Sequence, residues 1–154
     1  MKKYAVLMIT AMILVIASGL ASATHLSLGY ASRDGQLNFA LGGRYDLGRG
    51  SSVEGAYTVL PGGYDVAGRY KMALYRSSVV AGPVFEGKLV GDHVYTSQAL
   101  SAGIFAEKIG VACLMHHGRL MFRQMVDVPG GAFVAAAGAR IAPSRPFFLG
   151  VEAT

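Results

Sequence analysis

Residues 37–47 read Leu37-Asn38-Phe39-Ala40-Leu41-Gly42-Gly43-Arg44-Tyr45-Asp46-Leu47. One parity carries Leu37, Phe39, Leu41, Gly43, Tyr45 and Leu47. The other carries Asn38, Ala40, Gly42, Arg44 and Asp46. Successive side chains of a strand point to opposite faces, so this stretch has one apolar face and one polar face.

The same alternation recurs downstream. Val53, Gly55, Tyr57 and Val59 oppose Glu54, Ala56 and Thr58. Tyr64, Val66, Gly68, Tyr70, Met72 and Leu74 oppose Asp65, Ala67, Arg69, Lys71, Ala73 and Tyr75. The pattern returns over residues 79–89, 132–141 and 147–152. Residues 95–107 have a helix-favouring composition. They read as a strand because Leu100, Ala102, Ile104 and Ala106 oppose Ser101, Gly103, Phe105 and Glu107.

Turn signals separate these segments: Asp34-Gly35, Gly48-Arg49-Gly50, Pro61-Gly62-Gly63, Gly91-Asp92, His117-Gly118, Pro129-Gly130-Gly131 and 143–146 among them. Short strands divided at such spacing predict an all-β sandwich or barrel. Taking 111–115 and 120–126 as two arms of a hairpin around His116-His117-Gly118-Arg119 gives ten strands; absorbing one arm gives eight. The expected fold is therefore a closed antiparallel up-and-down β-barrel of eight to ten strands, ten favoured. Pro83 interrupts this scheme, since proline gives no ladder donor and belongs at an irregularity.

The first residues form a different pattern. Lys2 and Lys3 precede an apolar run from Ala5 to Leu20, followed by Ala21-Ser22-Ala23. This is the layout of a secretory signal peptide, with cleavage expected after Ala23. Residues 1–23 are assigned to the signal and 24–154 to the barrel. Cleavage would lower the formal charge from +5 to +3 through the loss of Lys2 and Lys3. The basic residues never cluster, which argues against a nucleic-acid partner. Cys113 is the only cysteine, so no internal disulfide is expected.

Alternation alone does not say which face is inside. Charged residues are only 15% of the chain, against about 25% in ordinary soluble domains. The polar parity, mostly Gly, Ala and Ser with single charges, is too thinly charged for a solvated exterior and suits a narrow lumen. Its candidate lumen network is Arg44, Asp46, Glu54, Asp65, Arg69, Lys71, Glu86, Lys88, Arg123, Arg140 and Glu152. Six are basic and five acidic, the near balance that enclosed charges require. The apolar parity of these segments has no charge. Its aromatics Phe39, Tyr45, Tyr57, Tyr64, Tyr70, Phe85, Phe133 and Phe147 are expected to be lipid-facing or interfacial.

Signal, parity and turns together resemble the small bacterial outer-membrane β-barrel proteins as an architectural class. The resemblance covers residues 24–154 and rests on no family-specific motif. It implies a location in the bacterial outer membrane, with the lipid bilayer and the outer-membrane assembly machinery as partners. Such proteins often end on an aromatic residue, whereas this chain ends Val151-Glu152-Ala153-Thr154.

An even strand count with a periplasmic N-terminus would direct the turns at 33–36, 61–63, 90–93, 116–119 and 143–146 outward. All are short, which argues against an adhesin or receptor. A structural or narrow-pore role is the leading expectation, because eight strands leave an interior filled by side chains. A soluble periplasmic barrel binding an apolar ligand is one alternative; a barrel-type lipid-modifying enzyme is another. No G-x-S-x-G element or phosphate loop is present. No enzymatic activity, cofactor or metal is therefore expected. The adjacent pair His116-His117 would point to opposite faces of a regular strand.

Overall fold

The computed structural model describes residues 25–33, 35–49, 51–92, 94–109, 114–126, 128–144 and 147–153. The expected signal segment 1–23, Cys113 and the 145–146 connection lie outside them. The strands are β1 (His25–Arg33), β2 (Gln36–Gly48), β3 (Ser51–Leu60), β4 (Gly63–Lys71), β5 (Tyr75–Arg76), β6 (Val79–Asp92), β7 (Thr96–Ile109), β8 (Leu114–Met125), β9 (Gly131–Ser144) and β10 (Phe147–Ala153). No helix occurs among the described residues.

Nine of the strands close a barrel through β4–β6 pairing, and β5 lies outside the ring. The expected closed barrel is therefore present, with two corrections. First, β8 is one continuous strand where a hairpin at 116–119 was expected. His116, His117, Gly118 and Arg119 pair in unbroken register with Ala139, Gly138, Ala137 and Ala136. Gly118 sits in ordinary strand packing: a Cβ added there would meet only the Ala136 carbonyl oxygen, at 3.8 Å. Second, β1 and β10 pair parallel.

The two corrections are linked. Merging two arms into one strand makes the count odd, and an odd meander can close only by pairing its first and last strands in the same direction. The connections at 33–36, 61–63 and 90–93 share one rim with 126–130. The end of β9 at Ser144 and the start of β10 at Phe147 fall at the opposite rim, beside the start of β1. Ala153 thus ends at the rim opposite His25.

Local sequence explains the tight connections. Pro61-Gly62 joins Leu60 to its partner Gly63, with Gly62 at φ 79°. Proline first and a positive-φ glycine second is what a type II turn requires. At the β6–β7 end, the Asp92 carboxylate accepts from the backbone N–H groups of Val94 (2.7 Å) and Tyr95 (2.6 Å).

Pro83 lies where β4 leaves the ladder. Lys71–Val84 is the last β4–β6 pair, and Met72 N–H donates to the Pro83 carbonyl at 3.1 Å. The donor that proline lacks is therefore missing at an irregularity. Beyond it, β5 resumes pairing one residue out of step, Tyr75 with Ala81. The sequence reading ran this segment on to Tyr75; the β4 ladder ends four residues earlier, at Lys71.

The parallel seam is held by close backbone approach. Gly29 lies opposite Gly150, and a Cβ on Gly29 would run into the Gly150 carbonyl oxygen. Gly29→Val is expected to destabilise the barrel by about 1–3 kcal/mol through overpacking. The denaturant midpoint of the folded protein measures this. Gly55→Val is the control, since a Cβ there meets nothing within 4 Å.

Gly55 belongs to an outer row. Gly43, Gly55, Gly68 and Gly87 occupy one register line across β2, β3, β4 and β6. The row leaves a furrow of bare backbone, bordered on one side by Tyr45, Val53, Tyr70 and Phe85.

Candidate functional site

The two parities of the strands face opposite ways. Leu37, Phe39, Tyr57, Val59, Phe85, Leu100, Leu120, Leu149 and Val151 are exposed on the outside, with Ile104 at 63% and Phe133 at 77%. Glu54, Asp65, Lys71, Glu86, Glu107, His117 and Arg119 are buried, Lys71 to 1%. This interior is the candidate site.

The register dictates its first layer. Arg44, Glu54, Arg69 and Glu86 are successive cross-strand partners on β2, β3, β4 and β6. Ser101 on β7 and Arg123 on β8 continue the row. Opposite charges placed directly across a ladder attract, and like charges repel. Glu86 takes both neighbours, pairing with Arg69 Nε on one side and with Arg123 Nη2 at 3.1 Å on the other.

Further pairs cross the lumen. Lys71 Nζ reaches Glu54 at 2.8 Å and also binds Glu107 on β7. It stands 5.4 Å from the centroid of the Phe105 ring. Arg44 Nη1 reaches the same Glu107 at 2.9 Å, and Arg44 Nε holds Asp46 at 2.7 Å. His25 Nε2 lies 3.0 Å from the other Asp46 oxygen. These residues form one cluster near the rim at which β1 begins.

A second cluster centres on Glu152 of β10. Its Oε1 accepts from Arg119 Nη2 at 2.7 Å and faces Arg69 Nη2 at 3.8 Å; its Oε2 lies 3.1 Å from His117 Nε2. Lys88 and Asp65 pair separately toward the other rim.

The packing is lopsided. Val84, Phe105 and Met121 form an apolar cluster on the β6–β8 wall. Ser27, Gly29, Ala31, Ala40, Gly42, Ala56, Thr58 and Gly150 line the opposite wall. Long side chains reach from one side and small ones receive them. A cavity of about 80 Å³ remains beside the small wall, reached by Arg69, His117, Arg140 and Glu152.

All eleven residues of the expected network lie on the inward parity. Ten of them make the ion pairs described: Arg44, Asp46, Glu54, Asp65, Arg69, Lys71, Glu86, Lys88, Arg123 and Glu152. Arg140 lines the 80 Å³ cavity. Sequence reasoning missed Glu107, His117, Arg119 and His25 as network members. A signal for two of them was present: His117, Arg119, Met121 and Arg123 share one parity, against His116, Gly118, Leu120 and Phe122. Reading 116–119 as a turn hid it.

The expected outer aromatics are placed as follows. Phe39, Tyr45, Tyr57, Tyr70, Phe85 and Phe133 are exposed. Tyr64 is half-buried because its ring covers Gly91, its cross-strand partner. The Phe147 side chain lies outside the described residues. Tyr64, Tyr95, Phe122 and Phe133 gather at the rim of the 61–62, 94–95 and 128–130 connections, with Phe122 and Phe133 packed edge to face at 5.4 Å. His116 is exposed and its neighbour His117 is buried. Among the described residues no three His, Cys, Asp or Glu side chains are placed to share a metal ion.

Comparison with protein-family models, with curated proteins and with solved structures returned no match. The geometry of the barrel is therefore the basis for a functional reading.

Proposed function

We propose that this chain is an outer-membrane β-barrel with a structural or narrow-pore role. The observation that carries the reading is the outward apolar face. Soluble monomers rarely expose contiguous apolar patches beyond a few hundred Å², whereas here large apolar side chains project from every strand of the ring. A spanning strand needs about 9–11 residues, and β2, β6, β7, β8 and β9 run 12 to 14.

The charged interior supports the same reading. A barrel built to hold an apolar ligand would turn its apolar parity inward. This one lines its interior with crossing ion pairs. Those pairs cross the lumen, and cavities between them lined by described residues measure about 80 and 40 Å³, which favours a structural role or a very thin water path over a wide channel.

Cell fractionation tests the location. The protein is expected in the membrane fraction, to need detergent for extraction, and to migrate faster on a gel when unheated. Release by osmotic shock without detergent would contradict it. Planar-bilayer conductance separates the two roles: the structural version predicts no current from correctly folded protein, and the pore version small discrete steps.

The odd strand count adds a topological expectation. The end of β10 lies at the rim opposite the start of β1. In a spanning barrel, epitope tags placed before His25 and after Ala153 would be accessible from opposite sides of the membrane.

A further inference from the structure

We infer that the lumen holds a small monatomic anion of the halide class beside Arg119. The inference rests on the closed, charge-lined interior and holds whether or not the barrel spans a membrane.

The first observation is an unpartnered donor. Arg119 is 5% exposed, and Nη2 binds Glu152. Its Nε and Nη1 are buried with no hydrogen-bond partner among the described residues. Buried donors left unpaired are costly, and those of a charged group most of all. Arg119 lines a cavity of about 40 Å³ between β3, β4, β6, β8 and β10. A site needs only about 10–15 Å³ to hold one water-sized occupant.

The second observation is charge. Arg119, Arg69, Arg123 and Lys88 line this cavity. Facing these four cations are three carboxylates: Asp65, Glu86 and Glu152. One positive charge is left over. Water would satisfy the free N–H groups of Arg119 but would not offset that excess. A monatomic anion does both, and its size excludes polyatomic organic anions from the same space.

Thermal unfolding of the folded protein tests this, in the buffer or detergent that keeps it folded. Chloride is compared with gluconate at matched ionic strength. A ligand that binds only the folded state raises its midpoint with concentration. The midpoint is expected to rise by at least about 3 °C in chloride over gluconate, with bromide acting like chloride. Crystals grown in bromide should show an anomalous peak against Arg119 Nε and Nη1. Arg119→Gln is expected to abolish the difference between the two salts. If that variant does not fold, the wild-type salt comparison and the bromide peak still decide. Equal midpoints in chloride and gluconate, or only water density beside Arg119 in bromide-grown crystals, would overturn the inference.

Discussion

Lys71→Met is expected to lower the unfolding free energy by about 3–5 kcal/mol, the cost of removing one partner from a buried ionic group. Among the ion pairs described, Lys71 is the nearest cation to both Glu54 and Glu107, and it is sealed from solvent at 1% exposure. Methionine keeps most of the volume, while two carboxylates lose their nearest countercharge and the Phe105 ring loses the cation above it. Glu54 keeps Arg44 only at 3.5 Å, and Glu107 keeps it at 2.9 Å. The loss should be partly recovered in Lys71→Met with Glu107→Gln, because the second change removes the stranded charge. Denaturant midpoints for the two single variants and the double variant measure the coupling. A midpoint for Lys71→Met equal to wild type would mean that the interior is wet enough to screen these charges.

The second large effect concerns the outer face. Ile104→Arg puts a cation near the middle of β7, on a side chain that is 63% exposed. In a lipid bilayer this is expected to cost about 2–4 kcal/mol of folding free energy and to reduce the folded fraction in vesicles. On a water-facing surface the same change would fall within about 0.5 kcal/mol of neutral. The chain carries its own control. Lys108 is exposed at the end of the same strand on the same face, so Lys108→Leu should be nearly silent. The contrast between the two positions reports depth in a membrane rather than a general dislike of charge on this strand.

These two predictions draw on the part of the molecule most legible in the sequence. Alternation over 53–59, 64–71 and 79–89 needs only the two-residue period of a strand, and it placed Glu54, Lys71 and Glu86 on the polar parity with no knowledge of pairing. What the alternation could not carry was closure. Whether β1 meets β10 parallel or antiparallel depends on the parity of the strand count, and that count turned on one local reading. His117-Gly118 looks like a turn because glycine is a common turn residue. In β8 it is simply a small residue facing outward with room around it. That error removed His117 and Arg119 from the interior and inverted the rim assigned to everything after them. Glu107 was missed for a different reason. It lies on the correct parity, but its importance comes from Arg44 and Lys71, which are 63 and 36 residues away in the chain. Pairs that cross a lumen leave no trace in local spacing.

Pro83 marks the opposite case. Its chemistry demanded an irregularity, and the ladder breaks there, between the last β4–β6 pair and the short β5 pairing.

The central claim is that the apolar parity meets lipid and the charged parity does not. Single nitroxide labels at residues 98 to 107 of β7, in a Cys113→Ser background, test it most directly by collisional relaxation in vesicles. The account predicts that labels at Leu100, Ala102, Ile104 and Ala106 relax strongly with oxygen and weakly with a water-soluble nickel chelate, while Ser101, Gly103 and Phe105 respond weakly to both. Strong relaxation by the nickel chelate at residues 100, 102, 104 and 106 would contradict it.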